Sequence, residues 1–130
     1  MKQDCLPIDG VNYSTEEQVV GTWMGKPLYQ KTVIVNSSYS VEQNQRTSIP
    51  VPFCDTNTLS IVGTEGRIRD SVWHNYYPLP GFKISTTGTV AYFISVLTTD
   101  TGVNIQLGGI SESFSTDYIS VTARYTKTTD

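Results

Sequence analysis

A two-residue alternation of apolar and polar side chains recurs along this chain, and no helical period competes with it. That feature restricts the fold more than any other. Val103-Asn104-Ile105-Gln106-Leu107 places three apolar side chains on one side and two amides on the other. Between Tyr118 and Thr126, the residues Tyr118, Ser120, Thr122, Arg124 and Thr126 oppose Ile119, Val121, Ala123 and Tyr125. Successive side chains of a strand point to opposite faces, so each segment offers one face to a core and one to water. A chain built this way must stack or close its sheets to bury those faces.

The same reading extends along the sequence. Thr89–Thr99, with its Val, Tyr, Phe and Ile content, suits the centre of a sheet, and Asp100-Thr101-Gly102 makes a hairpin turn after it. Val19–Met24 and Leu28–Val35 flank Gly25-Lys26-Pro27, whose glycine and proline favour a turn. In the second of these strands Leu28, Gln30, Thr32 and Ile34 face one way, and Tyr29, Lys31, Val33 and Val35 the other. Neither set is cleanly apolar, which predicts a strand covered on both sides or lying at an interface. Thr58–Gly63 is a short strand, Thr64-Glu65-Gly66 a turn, and Arg67–Tyr77 a strand ended by Pro78-Leu79-Pro80-Gly81. Asn36–Pro52 is polar and proline-ended, and reads as a long loop or as a poor strand plus a turn. Ser14-Thr15-Glu16-Glu17-Gln18 has capping-box spacing twice over. The β-branched residues and Gly21 that follow limit any helix there to one turn.

These elements give about seven strands and essentially no helix. The expected fold is an all-β antiparallel β-sandwich, jelly-roll-like or of another Greek-key topology. At 130 residues the chain fits one domain, with residues 1–12 as a lead-in and 13–130 as the sandwich. Charged residues are only 16% of the chain, so its surface must be finished with Thr, Ser, Asn, Gln and Gly.

Composition removes several functions. The net charge is −3, and Lys26, Lys31, Arg46, Arg67, Arg69, Lys83, Arg124 and Lys127 are scattered, which argues against nucleic-acid binding. No apolar run approaches the roughly 20 residues of a membrane-spanning helix, so no membrane insertion is expected. The N-terminal Met1–Gly10 stretch lacks an apolar core segment, so no signal peptide is expected either. Cys5 and Cys54, with His74 alone to add, do not make a four-ligand zinc site. Their spacing carries no disulfide signature, and two buried or half-buried thiols are the expectation. No metal or other cofactor is expected.

Catalysis finds little support. His74 is the single histidine, and Ser71 or Ser85 with Asp70 or Asp55 would have to complete a triad, yet no nucleophile motif is present. Asp55, Glu65, Asp70 and Asp100 supply carboxylates for a glycosidase pair, but a small sandwich rarely supplies the cleft, and solvated turn acids are the commoner reading. Binding is the better case. Ser71–Phe82 concentrates Trp73, Tyr76, Tyr77 and Phe82 around His74 and Asn75. Aromatic planes beside amides suit sugar rings, whose C–H face stacks while the edges hydrogen-bond. Trp73, Asn75, Tyr76 and Tyr77 are therefore the candidate ligand-binding residues. Filling a core or a subunit interface is the commoner fate of such aromatics, and exposure decides between the two.

The stretch Tyr13–Trp23, followed by Gly25-Lys26-Pro27-Leu28-Tyr29-Gln30-Lys31-Thr32, resembles a segment that opens the C-terminal β domain of bacteriophage and prophage tail-fibre and related virion proteins. The closing Ile119–Asp130, "ISVTARYTKTTD", is similar to the end of such domains. The middle of the chain, from about Ser37 to Gly88, carries no such likeness. The resemblance implies that Tyr13, Gly21, Trp23, Gly25, Pro27 and Tyr29 shape a structural hairpin, and that three copies stand about an axis as a homotrimer. It implies a non-enzymatic protein of the virion surface, made in the bacterial cytoplasm, that recognises a host surface carbohydrate or other virion proteins. A capsid or tail cement protein and, further off, a small polysaccharide depolymerase are the alternatives. Here Met24 meets Gly25 directly, where many relatives carry an extra residue, so the hairpin tip should be short.

Overall fold

A computed structural model describes the backbone at residues 12–13 and the whole of residues 16–130; the rest of the expected lead-in, with Cys5, lies outside the described residues. The described chain forms eleven strands and no helix. They are β1 (Asn12–Tyr13), β2 (Gln18–Trp23), β3 (Lys26–Val35), β4 (Tyr39–Val41), β5 (Arg46–Pro52), β6 (Leu59–Asp70), β7 (Tyr76–Pro78), β8 (Gly81–Ile84), β9 (Val90–Thr98), β10 (Gly102–Gly109) and β11 (Phe114–Lys127). The strand count exceeds the expected seven, while the all-β antiparallel sandwich stands.

A seven-stranded sheet runs β1-β3-β11-β6-β7, with β2 also on β3 and β4 also on β11, and a four-stranded sheet runs β5-β10-β9-β8. All these ladders are antiparallel. Early strands pair with late ones, β3 with β11 and β5 with β10, which wraps the chain back on itself in the jelly-roll manner. One apolar cluster fills the space between the sheets. Val33, Ile68, Ile119 and Val121 reach it from the larger sheet, and Ile49, Tyr92, Ile94, Val103, Ile105 and Leu107 from the smaller. The alternation read from Val103–Leu107 and Tyr118–Thr126 is thus the core boundary itself, except that Thr126 is buried too. In β3, Tyr29, Lys31, Val33 and Val35 are the buried set. Lys31 is tolerated there because its ammonium donates to the Phe53 carbonyl at 3.2 Å.

Several expectations need correction, among them the turn placed at Gly25-Lys26-Pro27: Lys26 and Pro27 already belong to β3, paired with Trp23 and Thr22. Thr64-Glu65-Gly66 is no turn, since β6 runs straight through it against β11. The glycine is there for close approach: a Cβ on Gly66 would lie 2.1 Å from the Ser120 carbonyl oxygen. The turn falls instead at Ser71–Asn75, so Arg67–Tyr77 is not one strand, and His74 stands in a loop at φ 61°. Of the two readings of Asn36–Pro52, the strand-plus-turn one is closer, for the stretch carries two strands, β4 and β5, and not a long loop. Pro50 and Pro52 fit β5 because it is an edge strand, where a missing N–H need not break the ladder. After the Pro78–Gly81 break the chain continues as β8, a short edge strand not among those expected. The single helical turn is absent at Glu16-Glu17-Gln18, where Gln18 already belongs to β2; Ser14 and Thr15 lie outside the described residues.

The β2–β3 hairpin closes through Met24 (φ 49°) and Gly25 (φ 82°), with Trp23 paired to Lys26. Positive φ at both central residues is what the tight two-residue hairpin turn demands, and it accords with the short tip expected from the direct Met24–Gly25 junction. Glu17 and the C-terminal residues meet beside this hairpin. The Lys127 ammonium lies 2.6 and 3.0 Å from the two Glu17 carboxylate oxygens and 4.4 Å from the Tyr29 ring centre. The Tyr29 hydroxyl donates to Asp130 Oδ2 at 2.6 Å, and Lys26 Nζ to the Lys127 carbonyl at 3.2 Å. Burial, with the Asp130 carboxylate second, raises the Tyr29 phenol to about 12.

Candidate ligand-binding cleft

The cleft begins with the loop between β6 and β7. Asp70 is buried at the end of β6, and its Oδ1 accepts the backbone amides of Val72 at 2.8 Å and Trp73 at 3.2 Å. Its own backbone closes the loop, with the N–H donating to the Asn75 carbonyl and the C=O accepting the His74 amide. The buried Tyr92 hydroxyl donates to Oδ2 at 3.5 Å. An aspartate directly before a turn satisfies amides that the sheet no longer pairs. The result is a loop locked from beneath that holds Trp73 out, 70% exposed.

The opposite wall is the β10–β11 connection, where the Ala91 carbonyl on β9 accepts the amides of Ile110, Ser111 and Glu112. From there Glu112 Oε1 accepts a hydrogen bond from Lys83 Nζ at 2.9 Å, an ion pair that reaches across to β8. That hydrogen bond raises the Lys83 amine above its ordinary value. Burial, then Tyr77, pushes the Tyr92 phenol well above the usual range and keeps it a neutral donor toward Asp70. Between the walls lies a space of about 300 Å³, with Ser113 and Ser115 at its side and Tyr92 and Phe114 beneath. A rigid aromatic rim, two hydroxyl side chains, an ammonium and two carboxyl groups can together hold a small polar ligand with one apolar face.

The four candidate residues part company. Trp73 stands at the cleft and Asn75 is exposed on the same loop. Tyr76 points to the other side of the larger sheet, beneath the Arg67 guanidinium at 4.2 Å and edge-on to Tyr118 at 6.2 Å. Tyr77 turns inward against Tyr92 and Phe114 and belongs to the core boundary. One register explains the split, because neighbouring residues on β7 must face opposite ways. Phe82, also on β8, is exposed. Lys83, Glu112, Ser113 and Ser115 escaped the sequence reading. They come from two separate stretches, and only the loop closure over Ala91 brings them opposite Trp73.

The acids weighed for glycoside hydrolysis are dispersed. Glu65 lies on the outward face of β6, 3.7 Å from Arg124, whereas Asp70 faces inward. Asp55 and Asp100 belong to loops near the β6 start, where the Asp100 carbonyl accepts the Leu59 amide. Asp70 is at the far end of that strand, roughly 35 Å away at the usual rise per residue. His74 contacts the Arg69 guanidinium, and Arg69 in turn pairs with Asp117 at 2.9 Å; no serine joins them. Among the described residues no cluster of three His, Cys, Asp or Glu side chains is placed to hold a metal. Cys54 is buried, its sulfur 3.3 Å from Thr56 Oγ1. No family model, curated protein or solved structure matches the chain.

Proposed function

We propose that this chain is a non-catalytic recognition module of the phage-fibre type, borne at the surface of a virion, which holds a host surface glycan in the cleft beside Trp73. The observation that carries this reading is Trp73 itself. Its indole stands at the rim of a polar cleft, on a loop that Asp70 fixes through two backbone amides. A binding loop on a rigid scaffold presents its anchor without an ordering cost. The dispersal of Asp55, Glu65, Asp70 and Asp100 weighs against the depolymerase alternative. Two of Asp70's hydrogen bonds are also spent on the loop that displays Trp73.

A second feature supports assembly with other copies or other virion proteins. Val19, Val20, Trp23 and Met24 are all exposed around the β2 hairpin, Met24 at 89%. An uncovered apolar edge strand invites a partner, and a homotrimer about an axis supplies one. The same hairpin favours the cement-protein reading as the second choice, with the edge docked on a capsid or tail.

The test is binding of purified chain to host cells and to their extracted surface glycan, with its assembly state read by light scattering behind a sizing column. Trp73→Ala should remove binding and leave melting unchanged, and Asp70→Ala should weaken binding with the indole still present. Three chain masses are expected. Equal binding by wild type and Trp73→Ala would sink the proposal; no binding by either protein would favour the cement role.

A further inference from the structure

We infer that the cleft accepts a single uncharged sugar unit and discriminates against acidic ones; this rests on the reading of the cleft as the glycan site. Size is the first argument. About 300 Å³ is at the lower bound of small-ligand pockets, which suits one ring set against one indole rather than a longer run of the polymer. Charge is the second. The cleft holds two carboxyl groups, Asp70 and Glu112, and one ammonium, Lys83. That ammonium is already engaged by Glu112 at 2.9 Å.

A uronate or sialate entering the cleft would have to take Lys83 from Glu112. Its carboxylate would then face two like charges in a partly dehydrated space, the arrangement by which a site rejects a wrong partner. An uncharged ring meets no such obstacle. Its hydroxyls donate to Glu112 and accept from the remaining ammonium hydrogens of Lys83 and from the Ser113 and Ser115 hydroxyls, while its C–H face lies on Trp73. The ion pair thus acts as a polar clamp with both halves occupied, and it leaves no free cation for an acidic sugar.

The experiment is a tryptophan-fluorescence titration of the full chain carrying Trp23→Phe, so that Trp73 is the single reporter. The probes are methyl glycosides of glucose, galactose and N-acetylglucosamine, set against those of glucuronic, galacturonic and N-acetylneuraminic acids. At least one neutral probe should give a saturable change, with every acidic probe about tenfold weaker or worse. Glu112→Gln releases Lys83 from its charged partner and should shrink that gap to about twofold or reverse it. Acidic probes that bind the parent as well as neutral ones, with the response still at Trp73, would overturn the selectivity and leave the site standing. An unchanged gap in Glu112→Gln would overturn the clamp. No saturable change with any probe would overturn the site as well.

Discussion

The buried pair of Glu17 and Lys127 offers a sharp test of how β11 is held beside the first hairpin. The Lys127 side chain is 1% exposed and that of Glu17 8%, and the ammonium sits 2.6 and 3.0 Å from the two carboxylate oxygens. Glu17→Gln keeps the shape and removes the charge, leaving the buried ammonium with a weaker partner. Breaking a buried pair from one side costs about 3–5 kcal/mol. The lower end applies here, because the Tyr29 ring 4.4 Å away still faces the ammonium and recovers part of the loss. A cost of about 3 kcal/mol corresponds to a melting point lower by roughly 10–15 °C in a domain of this size. The double variant Glu17→Leu with Lys127→Met removes both charges and should recover most of that loss, since an apolar pair of similar volume pays no desolvation. Denaturant unfolding of Glu17→Gln, of the single variants Glu17→Leu and Lys127→Met, and of their double, followed by far-UV circular dichroism, gives both the loss and the coupling. A loss below about 1 kcal/mol in Glu17→Gln would show that the pair is solvated like any surface bridge, and the account of how Glu17 holds Lys127 would fall.

Two other outcomes follow from single sites. The Tyr29 phenol is raised from its ordinary value to about 12, so the folded state favours its neutral form; the stability this supplies is complete below pH 10 and disappears as pH climbs to about 12. Tyr29→Phe should flatten the alkaline slope of the melting temperature in that window, and a slope equal to wild type would remove Tyr29 from the account. Gly66→Ala should disrupt the β6–β11 ladder and lower stability by several kcal/mol, because the new Cβ meets backbone at 2.1 Å, not a movable side chain. Near-native denaturant unfolding of that variant would contradict the close approach.

That this is a β protein can be read without any structure, because side-chain alternation is a property of each strand and needs no partner to be seen. Val103–Leu107 and the buried set of β11 were legible for that reason, and Thr89–Thr99 by its β-branched and aromatic content; the hairpin turn was legible from Gly25, though it closes at Met24-Gly25 and leaves Lys26 and Pro27 in β3. Trp73 was legible as a candidate by type, but not as exposed: its loop exists because Asp70 turns inward to accept two amides, and a carboxylate's direction is set by what packs above it. The rest depends on which segments meet. Gly66 looked like a turn residue until the Ser120 carbonyl arrived beside it, and Pro50 and Pro52 looked like strand breakers until β5 proved to be an edge. Lys83 and Glu112 are separated by two strands and face each other only when the β10–β11 connection folds over Ala91. Local conformation answers to the residue and its neighbours. Burial, pairing and the composition of a cleft answer to segments far apart in the chain, which the sequence lists without saying which of them meet.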